Sequence, residues 1–246
     1  MVGLRLDDFT VAGVCTTLDL DVPAGTVRAA IVRHQQAVHD LANAVVGLTK
    51  PARGMVLVDD THVGEQHTDH RRRRRHRLTK RGSKHCRIRL VPASGGLMPE
   101  LALLGNMLHA QCPTARISQP LAAAMVSEIA SSCGLLGLLD ACPEDLDPTE
   151  RRLAGLALAL GWEPSAVVLE DAAGLPTWDA VLDLRRRRLG LAASADPSAL
   201  FTDVAVLLIT TDAARARELD DDPIGLEPQG IEGLGKASGR GGVPVG

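Results

Sequence analysis

The chain has 246 residues, of which 45% are hydrophobic, 23% are charged and 2% are aromatic. The hydrophobic and charged fractions are ordinary for a globular protein with one large or two small domains, whereas the aromatic content is low. The net charge of −3 at pH 7 gives no global field that would attract nucleic acid or an anionic membrane. No run of 18 apolar residues predicts a membrane span, and the first residues lack a signal-peptide core.

The N-terminal part of the sequence predicts strands followed by a helix. "LRLDDFTV" and "TTLDLDVPAG" alternate apolar and polar residues, and a turn separates them from a third strand, "TVRAAIV". The next segment, 37–48, has one apolar helical face, formed by Val38, Leu41, Ala42, Val45 and Leu48. The turn "KPARG" and the strand "MVLVDD" follow it.

The second half of the chain alternates helices with apolar strands. "IRLVP" predicts a strand, "PASGGLMPELALLGNML" predicts a loop entering a helix, and residues 119–139 and 148–161 predict two further helices. "SAVVLED" and "VAVLLIT" are continuous apolar runs, which is typical of parallel strands covered on both faces. The fold class is therefore α/β. Residues 230–246 are Gly-rich, and we expect a disordered tail there.

The cysteines and the basic segment bear on other possible functions. Five scattered cysteines with no CxxC motif predict free thiols in a reducing cytoplasm, at Cys15, Cys86, Cys112, Cys133 and Cys142. The arginine run 71–75 lies in a basic stretch, 71–89, that has no aromatic residues to stack on bases. We favour a solvated face there over polyanion or nucleic-acid binding. The nearby histidines (His62, His67, His70, His76 and His85, with Cys86) match no common zinc spacing, so no metal site is predicted.

The order of these segments resembles the nucleotide-binding subunit of an ABC transporter over residues 4–229. The resemblance is carried by "LDLDVPAGTV", "LANAVVGLTKPARGMVLVDD", "RLVPASGGLMPELALLGNM", "LDPTERRLAGLALALGWEPSAVVLED" and "LLITTDAARARELDDDPIGL". It implies one ABC-type P-loop NTPase domain over 1–229. That domain would combine a RecA-like core, an antiparallel β subdomain and a helical subdomain at about 94–160. The aromatic platform for adenine has no counterpart except Phe9, for which we favour a core role.

The residues that bind phosphate in the family's phosphate loop are all replaced in this sequence. The family's three glycines fall on Val32, Gln35 and Ala37, its lysine falls on Val38, and its Ser/Thr pair falls on His39 and Asp40. Glycines let backbone N–H groups face phosphate, lysine supplies a cation and the hydroxyl binds Mg²⁺. Arg33 or His39 remains an alternative source of the missing cation.

The family's signature motif is also replaced. Its serine and two glycines fall on Asp147, Pro148 and Thr149. In the family the N-terminus of this helix faces the γ-phosphate of the partner chain's ATP. Here Asp147 predicts an N-cap, Pro148 suits the first helical position, and Glu150 completes a capping box. The helix end that would receive an anion therefore carries its own carboxylates.

Three further motif positions differ from the family. The Walker B aspartate and the catalytic glutamate fall on Glu170 and Asp171, the Q-loop glutamine falls on Ala93, and the switch histidine falls on Thr211. The two acids leave a metal contact open, although the shorter Asp171 would lie back from an attacking water. An ordinary pair of acids at the end of a buried strand is the alternative.

The resemblance and its losses together predict a pseudo-ATPase, so no bound cofactor is expected unless some binding of ATP and Mg²⁺ survives. Its partner would be an ABC transporter membrane subunit docked through residues 94–108, or a second nucleotide-binding subunit. That places the chain in the cytoplasm, peripheral on the inner face of the cell membrane. A divergent active ATPase that uses Glu170 and Asp171 is the first alternative, and a polyanion-binding module at 71–89 is the second.

Overall fold

The structure is a computed structural model that describes residues 3–63, 88–111, 119–191 and 201–227. The arginine run 71–75, four of the five histidines near it, two cysteines (Cys86 and Cys112) and the tail 230–246 lie outside these described residues. The polyanion alternative and the predicted tail therefore remain sequence predictions. Among the described cysteines, Cys15, Cys133 and Cys142 are free thiols, as predicted.

The N-terminal strands form an antiparallel sheet. Its strands are β1 (Gly3–Val11), β2 (Cys15–Pro23), β4 (Arg53–Val58) and β5 (Thr61–His62), in the order β2-β1-β4-β5. In β2, Leu18, Leu20 and Val22 are buried, while Asp19 and Asp21 between them are exposed. The alternation read from the sequence is thus the division between the inner and outer faces of this sheet.

A second, parallel sheet forms the centre of the molecule. It contains β3 (Val27–Ile31), β6 (Ile88–Val91), β7 (Ala166–Glu170), β8 (Ala205–Thr210) and β9 (Ile224–Gly225), in the order β6-β7-β8-β3-β9. Every residue of β7 and β8 is buried. This confirms the two continuous apolar runs as parallel strands covered on both faces.

The helices largely follow the sequence prediction. They are α1 (Gln35–Val45), α2 (Leu103–Gln111), α3 (Gln119–Ser132), α4 (Pro148–Leu160), α5 (Trp178–Arg188) and α6 (Ala213–Arg217). Two predicted helix ends were wrong. α1 ends at Val45 and the chain turns at Gly47 (φ 78°), so Leu48 is 67% exposed and is not part of the buried face. α3 ends at Ser132 because Gly134 adopts φ 67°, and only a 3₁₀ turn at Leu136–Leu138 follows it.

The parallel sheet separates two hydrophobic clusters. One joins α1 to the antiparallel sheet and includes Phe9, whose predicted core role is confirmed. The other joins α2, α3, α4 and α5 on the opposite face of the sheet. β7 contributes alternate residues to the two clusters: Val168 packs with α1, and Val167 and Leu169 pack with the other helices.

The strand order brings three predicted site segments to one edge of the parallel sheet. β8 lies between β7 and β3, with Ile31 opposite Thr210 and Glu170 opposite Ile209. Beyond the strand ends, Val32 N donates to Thr210 O at 2.9 Å and Asp171 N donates to Ile209 O at 2.9 Å. The start of α1, the Glu170–Asp171 pair and Thr211 therefore lie at the same carboxyl edge, where α/β sheets commonly bind ligands.

Candidate functional site

The connection from β3 to α1 has only three residues, 32–34, and ends in an N-cap at His34. The His34 backbone is extended (φ −151°, ψ 161°), and its Nδ1 accepts a hydrogen bond from Ala37 N at 3.1 Å. The His34 carbonyl also accepts from Ala37 N at 2.9 Å and from Val38 N at 3.3 Å. The N–H groups of Ala37 and Val38, in the first turn of α1, therefore already have partners within the chain.

Except for Val32, the predicted phosphate-loop positions lie within α1 instead of in a loop. Ala37 and Val38 belong to its buried face, and Val38, at the position of the family's lysine, is 0% exposed. Gln35 Nε2 donates to Asp171 O at 2.9 Å, and Asp40 Oδ1 accepts from Gln36 Nε2 at 2.8 Å. Ala37 and Val38, at one glycine position and the lysine position, therefore serve helix packing.

The two candidates for the missing cation already contact carboxylates. Arg33 Nη2 lies 3.6 Å from Glu227 Oε2. His39 Nδ1 lies 3.0 Å from Oε1 of Glu170, whose side chain is largely buried. A phosphate at the α1 N-terminus would have to compete with both carboxylates for these groups.

Asp171, at the position of the catalytic glutamate, is 2% exposed and fully engaged. Its Oδ1 accepts from Arg152 Nη2 at 3.2 Å and from Arg215 Nη1 at 3.0 Å. Its Oδ2 accepts from Thr210 Oγ1 at 3.0 Å and from Arg215 Nη1 at 3.2 Å. We call Asp171, Arg152, Arg215 and Thr210 the arginine cluster.

The two arginines of this cluster hold several elements together. Arg152, in α4, is 1% exposed, donates to the carbonyls of Glu170 and Pro176, and has its guanidinium 4.2 Å from the centre of the Trp178 ring. Burial lowers the pKa of Arg152 and the Asp171 charge acts to raise it. Arg215, in α6, also donates to Ala172 O at 3.0 Å and Leu175 O at 2.8 Å.

Sequence reasoning missed both arginines of the cluster. They lie 19 and 44 residues from Asp171 in the chain, so no motif spacing links them to it. One signal was present for Arg152, which lies on a helix whose neighbouring residues, Leu153 to Ala157, are all buried. A charged residue on an apolar face predicts a buried partner.

Beside the cluster, a cavity of about 480 Å³ opens at the sheet edge. Its lining is Asp171, Ala173, Gly174, Thr211, Asp212, Ala213 and Arg215. Thr211 lies at the wall of this cavity, while Asp212 turns its side chain to α6 as an N-cap. Within the described residues, no group of three or more His, Cys, Asp or Glu side chains is placed to hold a metal ion.

The N-terminus of α4 is capped as the sequence predicts. Asp147 Oδ1 accepts from Thr149 N at 2.7 Å and Glu150 N at 2.9 Å, and Asp147 N donates to Glu150 Oε2 at 3.0 Å. Pro148 is the first helical residue. These bonds, led by that from Glu150 N, hold the pKa of Asp147 below its ordinary value. Glu150 is also paired with Arg188 of α5.

Ala93 lies in a tight turn in which Gly95 N donates to Pro92 O at 2.8 Å. Gly95 has φ 92° and packs directly on the α4 backbone, where a Cβ would lie 2.3 Å from Arg151 O. Farther along, the buried Asn106 side chain bonds to the backbone of Met98, Leu101 and Ala102. The segment 94–108 is thus fixed at both ends.

The two sheets, their topology and the site edge define the ABC ATPase fold. The chain is similar to CbiO1 from Clostridium perfringens, part of the ABC transporter complex CbiONQ. The TM-score is 0.67 at 13% identity, over 92% of this chain and 85% of that chain. An inward-facing metal-chelate type ABC transporter is similar with a TM-score of 0.67 at 13% identity, over 94% of this chain and 82% of that chain. An ATP-binding subunit of an ABC transporter is similar with a TM-score of 0.60 at 16% identity, over 92% of this chain and 86% of that chain.

These likenesses concern the fold alone, since all three identities are below one residue in five. No protein-family model matches the chain, and no curated protein is similar to it in sequence. Over the described part of the chain, every helix is too short or too polar to cross a membrane. What the fold does in this chain must therefore be argued from the site.

Proposed function

We propose that this chain is a pseudo-ATPase, a protein with the ABC ATPase fold that does not hydrolyse ATP and acts through protein contacts. The observation that carries the proposal is the burial of Asp171 and the hydrogen bonding of both its carboxylate oxygens. A general base needs a free lone pair within reach of the attacking water. Asp171 is buried, and both of its oxygens accept hydrogen bonds from Arg152, Arg215 or Thr210.

The same cluster opposes a magnesium ion. Mg²⁺ requires oxygen ligands in near-octahedral geometry. The Asp171 oxygens are occupied, and Glu170 is bound to His39. Two guanidinium groups beside Asp171 would also repel a divalent cation.

Two helix N-termini support the proposal independently. His34 caps α1 with its imidazole, and Asp147 caps α4 with its carboxylate. Phosphate binding at a helix N-terminus depends on free N–H groups and the positive end of the helix dipole. At α1 the N–H groups of Ala37 and Val38 already have acceptors within the chain, and at α4 so do those of Thr149, Glu150 and Arg151. A phosphate at α4 would also meet the charges of Asp147 and Glu150.

We propose that the partner is the membrane subunit of an ABC transporter, docked on residues 94–108 at the inner face of the cell membrane. The similar structures that are named as parts of ABC transporters support this proposal. The fixing of the segment by Gly95 and Asn106 also supports it, because a preformed surface loses less conformational entropy on binding. A second nucleotide-binding subunit is the alternative partner.

The experiment is calorimetric titration of the full chain with ATP and Mg²⁺ up to about 5 mM nucleotide, with the hydrolysis rate measured in parallel. We expect no binding with a Kd below about 100 μM and no hydrolysis above the buffer rate. An active ABC ATPase treated in the same way is the positive control. Binding below that limit, with hydrolysis above the buffer rate, would establish the divergent ATPase instead.

A further inference from the structure

Oxygen atoms surround the guanidinium group of Arg215 at the carboxyl edge of the parallel sheet. Its Nη1 lies 3.0 Å from Oδ1 and 3.2 Å from Oδ2 of Asp171, and it donates to Ala172 O at 3.0 Å. Its Nη2 donates to Leu175 O at 2.8 Å. One carboxylate and two carbonyl groups thus hold a single cation at the wall of the cavity of about 480 Å³.

The acceptors belong to a different part of the chain from the cation that they hold. The carboxylate and the two carbonyls lie at 171–175, directly after β7, whereas Arg215 reaches them from α6, a helix of five residues. The Arg215 side chain is 18% exposed and the Asp171 side chain only 3%. The guanidinium therefore lies between the buried carboxylate and the cavity, where a ligand entering from solvent would lie.

We propose that residues 171–175 form a binding site for one guanidinium-type cation, which Arg215 occupies as a tethered ligand. A guanidinium is planar and presents five N–H donors, so it suits a set of several oxygen acceptors. Here the acceptors are the Asp171 carboxylate, Ala172 O and Leu175 O. Shortening the Arg215 side chain empties this site toward the cavity, from which a free cation of the same kind can enter.

The site keeps its shape without Arg215 because other contacts hold its residues. The Asp171 carboxylate still accepts from Arg152 Nη2 at 3.2 Å and from Thr210 Oγ1 at 3.0 Å. Arg152 also donates to Pro176 O, at the far end of the same segment. A preformed site loses little conformational entropy when a ligand binds, so a small cation is sufficient to refill it.

The charges at this edge select a monovalent cation. Asp171 and Asp212 are negative, and Arg152 and Arg215 are positive, so the group is balanced. Without Arg215 one negative charge is unmatched, and one monovalent cation restores the balance. A divalent ion would add a surplus positive charge beside Arg152, which is 1% exposed. The site therefore takes a guanidinium in preference to Mg²⁺, and this binding goes beyond the proposed function because it needs no nucleotide.

The test is chemical rescue of Arg215→Ala in the full chain, with methylguanidinium as the probe and differential scanning calorimetry as the measurement. The substitution should lower the Tm. Methylguanidinium at about 20 mM, with a Kd of about 2 mM, should then raise it by roughly 3–6 °C, and the rise should saturate with concentration. Wild type should gain nothing, because Arg215 fills its site. Tetramethylammonium, which has the same charge but no N–H donor, should raise the Tm of neither protein.

Arg217→Ala is the matched control, since Arg217 is an exposed arginine of the same helix, and this variant should respond as wild type does. A second measurement needs no variant that folds poorly. In NMR of wild type, the two Nη groups of Arg215 should give separate signals because their bonds hinder rotation, while those of Arg217 should be averaged. Averaged Arg215 signals overturn the proposal. So does a folded Arg215→Ala that methylguanidinium does not stabilise, or that tetramethylammonium stabilises equally.

Discussion

At the scale of single residues, the charge on Asp171 matters to stability because one of its partners is buried. Asp171 is the carboxylate that pairs with two guanidinium groups, and one of them, on Arg152, is 1% exposed. Removing one partner of a buried ion pair leaves the other charge desolvated and uncompensated. The cluster is therefore expected to hold the sheet edge in place.

Asp171→Asn should lower the free energy of unfolding by about 3–5 kcal/mol, because Arg152 and Arg215 lose their counter-charge. Urea denaturation followed by circular dichroism measures this. Asp21→Asn, on the exposed face of β2, is the matched control and should change stability by less than about 0.5 kcal/mol. Equal effects of the two substitutions would contradict a structural role for the cluster.

Asp147 gives a pH-dependent prediction. Its pKa is lower in the folded state than the ordinary value of 3.8, mainly because Glu150 N–H donates to the carboxylate. The stabilisation is thus fully present above the unfolded pKa and is lost as the pH falls through the folded pKa. Asp147→Ala should cost about 1 kcal/mol at neutral pH, and the difference from wild type should shrink below pH 3.8.

Asp147→Asn is the companion variant, because asparagine is also a good N-cap but does not titrate. It should stay within a few tenths of a kcal/mol of wild type at pH 7 and lack the acid-dependent loss at this position. Denaturation curves of wild type and the two variants at pH 7 and at about pH 3 give the free energies of unfolding to be compared. An alanine variant with an unchanged difference at both pH values would rule out the charged cap.

At the scale of elements, one glycine of α4 is required for packing. A Cβ on Gly155 would lie 2.2 Å from Gly95 O and 2.6 Å from its Cα. Gly155→Ala should therefore destabilise the protein by about 1–3 kcal/mol, although alanine is the better helix former. The control is Gly137→Ala, because a Cβ at Gly137 meets nothing within 4 Å. The Tm values of the two variants are compared by thermal unfolding. A Gly155 variant as stable as the Gly137 variant would refute the close contact.

Local patterns allowed most elements to be predicted. The two fully buried strands, the alternation in β2 and the capping box of α4 each have a periodicity or a spacing that the sequence displays. Helix ends were less predictable. Leu48 continued the apolar spacing of α1, but Gly47 takes a positive φ and turns the chain away.

The site was less predictable because its contacts are not local. Arg215 reaches Asp171 across 44 residues, and His39 reaches Glu170 across 131. His34 was missed for a different reason, since histidine is not among the residues preferred at N-caps. Its role follows from the extended backbone at the end of β3, which the sequence does not specify.

At the scale of the whole molecule, the proposed function predicts the response to nucleotide. A ligand with a Kd of about 100 μM present at about 5 mM would stabilise the folded state by about 2.3 kcal/mol. For a chain of this length that corresponds to a rise in Tm of roughly 5–9 °C. We expect no rise with Mg-ATP in differential scanning calorimetry. A rise of that size with Mg-ATP but not with Mg²⁺ alone would contradict the pseudo-ATPase.

The order of strands in the parallel sheet has a consequence for biosynthesis. β3 pairs only with β8 and β9, and its first residue, Val27, meets Val206 about 180 residues later in the chain. At 5–20 residues per second, a ribosome needs roughly 9–36 s to make the intervening chain. Until then β3 lacks both of its neighbouring strands, while the described strands of the antiparallel sheet have all been made. A nascent chain should therefore depend on chaperones until β8 leaves the ribosome.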